Sequence, residues 1–439
     1  MCRILELTSL SNALRLTALI VVLSSLQGCI AMKRAHEEEQ LVPRQLEEYV
    51  VRNEYSVARG EDVIGRMLSV RLVKGDTLPD IARHFGLGLD GVSAANPGVD
   101  VWVPEAGQRV YLPLHFILPD APRKGIVINL ATMRLFQYKG NGETSAVVTY
   151  PVGVGTEDRP SPIGQMRIER KVSRPTWYVP TSIAKAHLKK GDVLPAIVPP
   201  GPDNPLGECA LYLSAQGYLI HGTNKPASIG LQATNGCFRL YPEDIKKLYE
   251  ITPVKTSVNI VRQPYLLGQS KGVVYLEVHG QTEELDKAEL DKVYRKLKNL
   301  EKDVGRPLDW NKVKKTLAEA RGIPVPIYEI KPGSLNSIAD PAEVKHPGEL
   351  NYKPKVPELR ADAWAVLVAE LKEKNDAVRL TAIVNHQGPH IPARIIEKSG
   401  KYQVVAGPFA DGKEARDAIK RLKYDLEIEG SLIEPAWKK

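Results

Sequence analysis

Residues 218–240 read Tyr218-Leu219-Ile220-His221-Gly222-Thr223-Asn224 and, after Lys225 to Gly230, Leu231-Gln232-Ala233-Thr234-Asn235-Gly236-Cys237-Phe238-Arg239-Leu240. A short apolar run ends on a histidine, a glycine-containing loop follows, and a cysteine opens a second apolar run sixteen positions later. A thiol near neutral pH needs an adjacent base to become an effective nucleophile, and imidazole is the usual one. His221 ends a predicted strand and the loop is long enough for the two ends to meet. On spacing alone the pair reads equally as a base beside a nucleophile and as a packed core histidine beside an inert thiol. Gly236 removes a side chain where a substrate carbonyl would approach. The N–H groups of Gly236 and Cys237 are then candidates for an oxyanion hole, worth about 3 kcal/mol where such donors have been removed. Glu243 and Asp244 begin a predicted helix and read as capping residues.

Strand-like segments extend outward from this stretch at residues 125–130, 134–138, 145–155, 164–168, 210–213 and 257–261, separated by turn residues. Short strands at that density predict a mainly β domain over 122–265, a sandwich, with a short helix at 244–249 packed on it. Cys209 lies in an alternating run and reads as a small buried hydrophobe.

The flanks have their own patterns. Residues 69–113 run strand, glycine turn, helix with Leu78, Ile81, Ala82 and Phe85 on one face, helical turn, Asn96-Pro97-Gly98, closing strand. Residues 29–68 read as an N-terminal linker and helix. Residues 266–321 read as a partly helical extension, its helix capped by Thr282, with Leu290, Val293, Leu297 and Leu300 at helical spacing. Prolines and glycines cluster over 322–360, which reads as a linker. Residues 361–439 give a βαββαβ order with Ala415, Ala418, Ile419 and Leu422 facing inward.

The chain has 439 residues, enough for two to four domains, and its 43% hydrophobic and 26% charged content excludes a mostly disordered or polytopic membrane chain. Sixty Lys and Arg against 52 Asp and Glu leave a formal charge of +8, which favours anionic partners without selecting one. Arg3 and Arg15 precede an apolar run ending near Leu26, then Leu26-Gln27-Gly28-Cys29. That is an export signal too short to span a bilayer, over residues 1–28. Ordinary signal cleavage, an uncleaved anchor and acylation of Cys29 all fit it. Four cysteines cannot make a disulfide scaffold at this size. His386 and His390 are four apart, but Gly388 and Pro389 between them break the helix a metal site would need, so no metal site is expected. No phosphate loop or dinucleotide fingerprint appears, no cofactor is implied, and net charge alone does not support a nucleic-acid partner.

Four resemblances sharpen these readings. Leu26 to Cys29 resembles the lipobox of bacterial lipoproteins, which implies lipidation of Cys29 and a periplasmic protein anchored to the outer membrane of a Gram-negative bacterium. The Lys74-Gly75-Asp76-Thr77-Leu78, Asn96-Pro97-Gly98 and Gly107-Gln108 pieces resemble a LysM glycan-binding module. Tyr402-Gln403-Val404 through Gly407-Pro408-Phe409, with the alanine-rich helix after it, resembles a SPOR domain, which implies binding to peptidoglycan glycan strands; any ferredoxin-like accessory domain shares its element order. The central stretch, His221-Gly222-Thr223-Asn224 and Thr234-Asn235-Gly236-Cys237-Phe238-Arg239, together with Pro160 to Gly164, resembles the L,D-transpeptidases (YkuD-type).

That last resemblance implies that Cys237 attacks a tetrapeptide stem, with His221 as base, and that an amine resolves the acyl-enzyme. The amine is another stem or an outer-membrane lipoprotein; water would give a carboxypeptidase. It also implies that Arg239, Asn235, Gly222 and Thr223 contact substrate, Arg239 through a carboxylate or else as a structural salt bridge. The family usually carries histidine where this chain has Asn235. A non-catalytic peptidoglycan-tethering lipoprotein is the alternative if that change has disabled the site. A papain-like wall endopeptidase, whose cysteine normally precedes its histidine, fits the order least.

Overall fold

The computed structural model describes residues 53–140, 144–280, 287–334 and 340–436. The leader, Cys29 and the Thr282 cap lie outside them. Among the described residues no helix is long and apolar enough to cross a membrane.

A nine-stranded sheet runs in the order Glu54–Ala58, Thr144–Pro151, Arg134–Lys139, Ile126–Asn129, Ser257–Val261, Gly164–Ser173, Cys209–Leu213, Leu219–His221 and Phe238–Arg239. The long strand Gly164–Ser173 folds it. Its first half pairs with Ser257–Val261 and its second with Cys209–Leu213, with an irregularity between Ile168 and Arg170. A strand that changes partner at a bulge turns a corner. The two wings therefore face each other, with Ile126, Ile128, Leu135 and Val148 from one wing and Leu211, Ile220 and Phe238 from the other in one buried cluster. The helix Pro242–Ile251 closes it through Ile245 and Leu248. The sandwich is thus one continuous sheet wrapped on its own core, and Cys209 is buried inside it.

The neighbouring unit has the expected strand–helix–helix–strand order, in Leu68–Arg71, Leu78–His84, Leu89–Ala95 and Arg109–Leu112. Leu78, Ile81, Ala82 and Phe85 are all buried. The Thr77 hydroxyl caps the first helix by accepting from the Asp80 N–H at 3.2 Å.

Two linker expectations are corrected. The described part of 29–68 forms the strands Glu54–Ala58 and Val63–Gly65, the first pairing with Thr144–Pro151 as the outer strand of the nine-stranded sheet. Within 322–360, Val325–Glu329 joins Tyr265–Ser270 and Val273–Val278 in a three-stranded sheet, and Ala342–Val344 pairs with Leu68–Arg71. Pro326 is tolerated because its strand lies at the sheet edge. The helices Lys287–Val304 and Trp310–Glu319 pack on that sheet through Val293, Leu297 and Val313.

The C-terminal domain is βαββαβ, its sheet ordered Ala393–Lys398, Lys401–Phe409, Trp364–Leu371, Ser431–Ile433, with Ala415, Ala418 and Leu422 buried beneath the last helix. It docks on both neighbours. His386 Nε2 lies 3.0 Å from Asp80 Oδ1 and its ring tilts against Trp102. Lys225, just after the HGTN stretch, pairs with Asp425 at 2.9 Å.

Candidate active site

Leu219–His221 and Phe238–Arg239 pair in parallel, with Ile220 opposite Phe238 and His221 opposite Arg239. Parallel neighbours need a long connection, supplied here by residues 222–237. Side chains alternate along a strand, so Ile220 and Phe238 point together into the core and are fully buried. His221 and Arg239 consequently share the opposite face, with Cys237 one residue before its strand and on that same side. The pattern that builds the core thus turns His221 and Arg239 away from it together.

The histidine is buried and its Nδ1 meets the Gly222 carbonyl at 2.6 Å. A carbonyl only accepts, so the proton sits on Nδ1 and the lone pair on Nε2. Burial first, and the Arg239 charge second, depress the imidazole to about 3, against the pull of the Gly222 and Leu206 carbonyls. It is neutral at neutral pH. The half-buried Cys237 thiol donates to the Gly217 carbonyl at 3.6 Å. Burial pushes this thiol up, while a backbone hydrogen bond from Leu219 and the Arg239 charge pull it back.

Gly236 is fixed by its surroundings. Its φ is +102°, and a Cβ there would stand 2.9 Å from the Tyr218 ring and 3.2 Å from the Pro160 carbonyl. The space that glycine frees is therefore filled by Tyr218 and Pro160, not held open for a substrate carbonyl. Its N–H donates to Thr234 Oγ1 at 3.1 Å, and the Thr234 hydroxyl in turn donates to the Cys237 carbonyl at 2.7 Å. Of the expected pair of oxyanion donors, the Gly236 N–H is therefore already engaged.

Gly222 and Thr223, expected at the substrate, build the turn instead. A Cβ on Gly222 would press on Ile245 at 3.1 Å, and the buried Thr223 hydroxyl accepts from the Lys225 N–H at 2.9 Å. Arg239 donates to Ser228 Oγ at 3.1 Å and makes no ion pair among the described residues, so the salt-bridge reading finds no partner. Its buried Nε has no hydrogen bond. Burial lowers its pKa. Exposed Asn235 accepts through Oδ1 from Arg159. Arg159, Tyr218 and the Leu219 N–H went unread in the sequence. Arg159 lies in a charged turn, Glu157-Asp158-Arg159, whose meeting with Asn235 no local pattern signals.

A family model for the L,D-transpeptidase catalytic domain (YkuD) matches residues 123–260, and one for the SPOR domain matches 361–433. The probable L,D-transpeptidase ErfK/SrfK of Salmonella typhimurium is 36% identical over 284 residues, which cover 62% of this chain and 90% of that protein. The probable L,D-transpeptidase YbiS of Escherichia coli K12 is 41% identical over 228 residues, covering 50% and 72%. The catalytic domain of the E. faecium L,D-transpeptidase, solved by NMR, overlaps 32% of this chain and 99% of its own at 18% identity, with a TM-score of 0.25. A likeness that spans nine-tenths of the Salmonella protein, around a catalytic-domain match that contains both His221 and Cys237, places the chain in the L,D-transpeptidase family, with a SPOR domain after its catalytic domain.

Proposed function

We propose that Cys237 is the nucleophile and His221 the base of a peptidoglycan L,D-transpeptidase reaction. The observation that carries this is the parallel register that pairs His221 with Arg239, two residues after Cys237. In the reaction, the sulfur attacks the carbonyl between the L-centre of diaminopimelate and the terminal D-Ala of a tetrapeptide stem. The thiol proton passes to His221 Nε2, while the Gly222 carbonyl holds the other ring nitrogen. The Cys237 N–H faces the developing oxyanion. Collapse of the tetrahedral intermediate breaks the amide bond, and imidazolium gives its proton to the departing D-Ala amine. A second amine then attacks the thioester, His221 takes its proton, and the sulfur leaves and is reprotonated.

Arg239 sits beside both groups with an unpaired Nε, a donor set that suits a substrate carboxylate. The 68–112 unit is read as a LysM-like module. With the SPOR domain it would hold glycan strands near the active site and raise the local concentration of stems. The acceptor is another stem or an outer-membrane lipoprotein, and the anchor is a lipid on Cys29 in the periplasm.

Incubation of the full chain with disaccharide-tetrapeptides tests the reaction. A thioester on Cys237 by intact mass with release of D-Ala is expected, absent in Cys237→Ala. Folded wild type that forms no acyl-enzyme would refute it. Dimers in the products indicate crosslinking, and tripeptides alone indicate hydrolysis.

A further inference from the structure

We infer that Arg159, acting with Asn235, is a specificity-determining residue that binds a second carboxylate of the stem peptide at the mouth of the site. The inference rests on the catalytic reading above.

The turn that carries Arg159 is tightly built. The Ser161 hydroxyl accepts from the Gly155 N–H at 2.9 Å, the Arg159 N–H donates to the Thr156 carbonyl at 3.1 Å, and the Thr156 N–H donates to the Thr234 carbonyl at 3.1 Å. A Cβ on Gly155 would stand 2.3 Å from the Arg159 carbonyl, so the turn closes without slack. Its Pro160 carbonyl abuts Gly236, one residue before the sulfur. Arg159 is thus presented at a fixed place beside Cys237.

The chemistry of the pair follows from which atoms are used. Asn235 accepts from Arg159 through Oδ1, which turns its amide N–H groups outward. The guanidinium keeps its other N–H groups, and its hydrogen bond among the described residues goes to the Asn235 amide oxygen, not to a carboxylate. Glu157 and Asp158 stand exposed in the same turn, so the donors at this rim are the free N–H groups of Arg159 and Asn235. A planar guanidinium with free N–H groups pairs with a carboxylate in two-point, charge-assisted geometry and gains only a neutral acceptor from a carboxamide. A histidine at 235 would not present the same set of donors. Arg239, on the strand that follows Cys237, has its own unpaired donor, so the site offers two separate cations to a stem tetrapeptide that carries three free carboxylates.

The experiment uses stem tetrapeptides in which each carboxylate in turn is replaced by a carboxamide, assayed on wild type, Arg159→Ala, Arg159→Lys and Asn235→Asp. On wild type, one of the three replacements should lower kcat/KM about ten- to a hundred-fold through Arg159, mainly through KM. Arg159→Ala should lose that discrimination while still forming the Cys237 thioester, and Arg159→Lys should retain part of it. Asn235→Asp should also lose it, because a carboxylate beside Arg159 neutralises the cation; its intact side-chain size guards against a folding artefact. Thioester formation with the same discrimination in Arg159→Ala as in wild type overturns the inference alone. No thioester on wild type overturns the catalytic reading, and the inference with it.

Discussion

His221 and Arg239 are direct register partners on neighbouring parallel strands, and neither makes an ion pair among the described residues. A buried imidazole beside a buried guanidinium stays neutral, and the thiol next to them is pushed up by burial. The resting site is therefore thiol and imidazole, not thiolate and imidazolium.

Alkylation reports that state directly. We predict that iodoacetamide modifies Cys237 slowly at pH 7, with a rate that keeps rising with pH and reaches its plateau later than that of an exposed thiol. A plateau reached below pH 7 would mean a preformed thiolate and would contradict the electrostatics of the pair. The acid limb of kcat/KM, by the same argument, should fall well below pH 6.5, since protonation of His221 is deferred to about pH 3.

The same burial makes His221 an acid-labile element of the fold. Its folded pKa of about 3 lies below the unfolded value near 6.5, so between them the unfolded chain binds the proton and the folded chain does not. Stability contributed by the neutral ring is full above pH 6.5 and lost as pH falls through that window, at up to about 1.4 kcal/mol per pH unit. Urea titrations of wild type and His221→Gln from pH 7 to 4 should show a shallower slope in the variant. Parallel slopes would place the ring in solvent.

Legibility in the sequence followed the range of the interaction. The helix face of Leu78, Ile81, Ala82 and Phe85 and the inward set Ala415, Ala418 and Leu422 were readable because local periodicity alone decides them. The strands that end on His221 and begin after Cys237 were readable too, as two short apolar runs with a loop between. The strand Ala342–Val344 was hidden, because it borrows its partner, Leu68–Arg71, from some 270 positions away and is too short and proline-flanked to signal itself. Arg159 with Asn235 and Asp80 with His386 were invisible for the same reason: nothing near either partner in sequence indicates the other.

Gly236→Ala tests the fit around the Cys237 thiol. The φ of +102° disfavours any L side chain, and the added methyl would meet the Tyr218 ring at 2.9 Å. We expect about 1–3 kcal/mol of lost stability and a displaced thiol, read as a large fall in thioester formation. The double variant Gly236→Ala, Tyr218→Ala should recover only the part due to the ring contact. Full recovery would show that backbone strain contributes nothing at this position.

Asp80 and His386 join the C-terminal domain to the 68–112 unit through side chains exposed by only 3% and 10%. Burial pushes the Asp80 carboxyl up, but hydrogen bonding and charge from His386, with help from Thr77 and Lys353, outweigh it and leave the pKa below the ordinary value. An acid depressed in the folded state stabilises above its unfolded pKa and loses that contribution as pH falls through the folded one. Neutralising it with Asp80→Asn keeps the volume and removes the charge, and breaking such a buried pair costs about 3 kcal/mol or more. The loss should appear as undocking, because the C-terminal domain has its own core around Val366, Val404 and Leu422 and does not need Asp80 to fold. Hydrogen exchange should therefore rise in the helix Lys374–Asn385 at its docked end, around His386, while the sheet beneath keeps its protection. Uniform loss of protection across the domain would instead make Asp80 part of its folding, and unchanged exchange would remove the pair from the interface energetics. Because Lys225, just beyond His221-Gly222-Thr223-Asn224, holds the same domain through Asp425, undocking should also loosen the turn whose Gly222 carbonyl accepts the hydrogen bond from His221 Nδ1, and thioester formation in Asp80→Asn is expected to slow rather than stay constant.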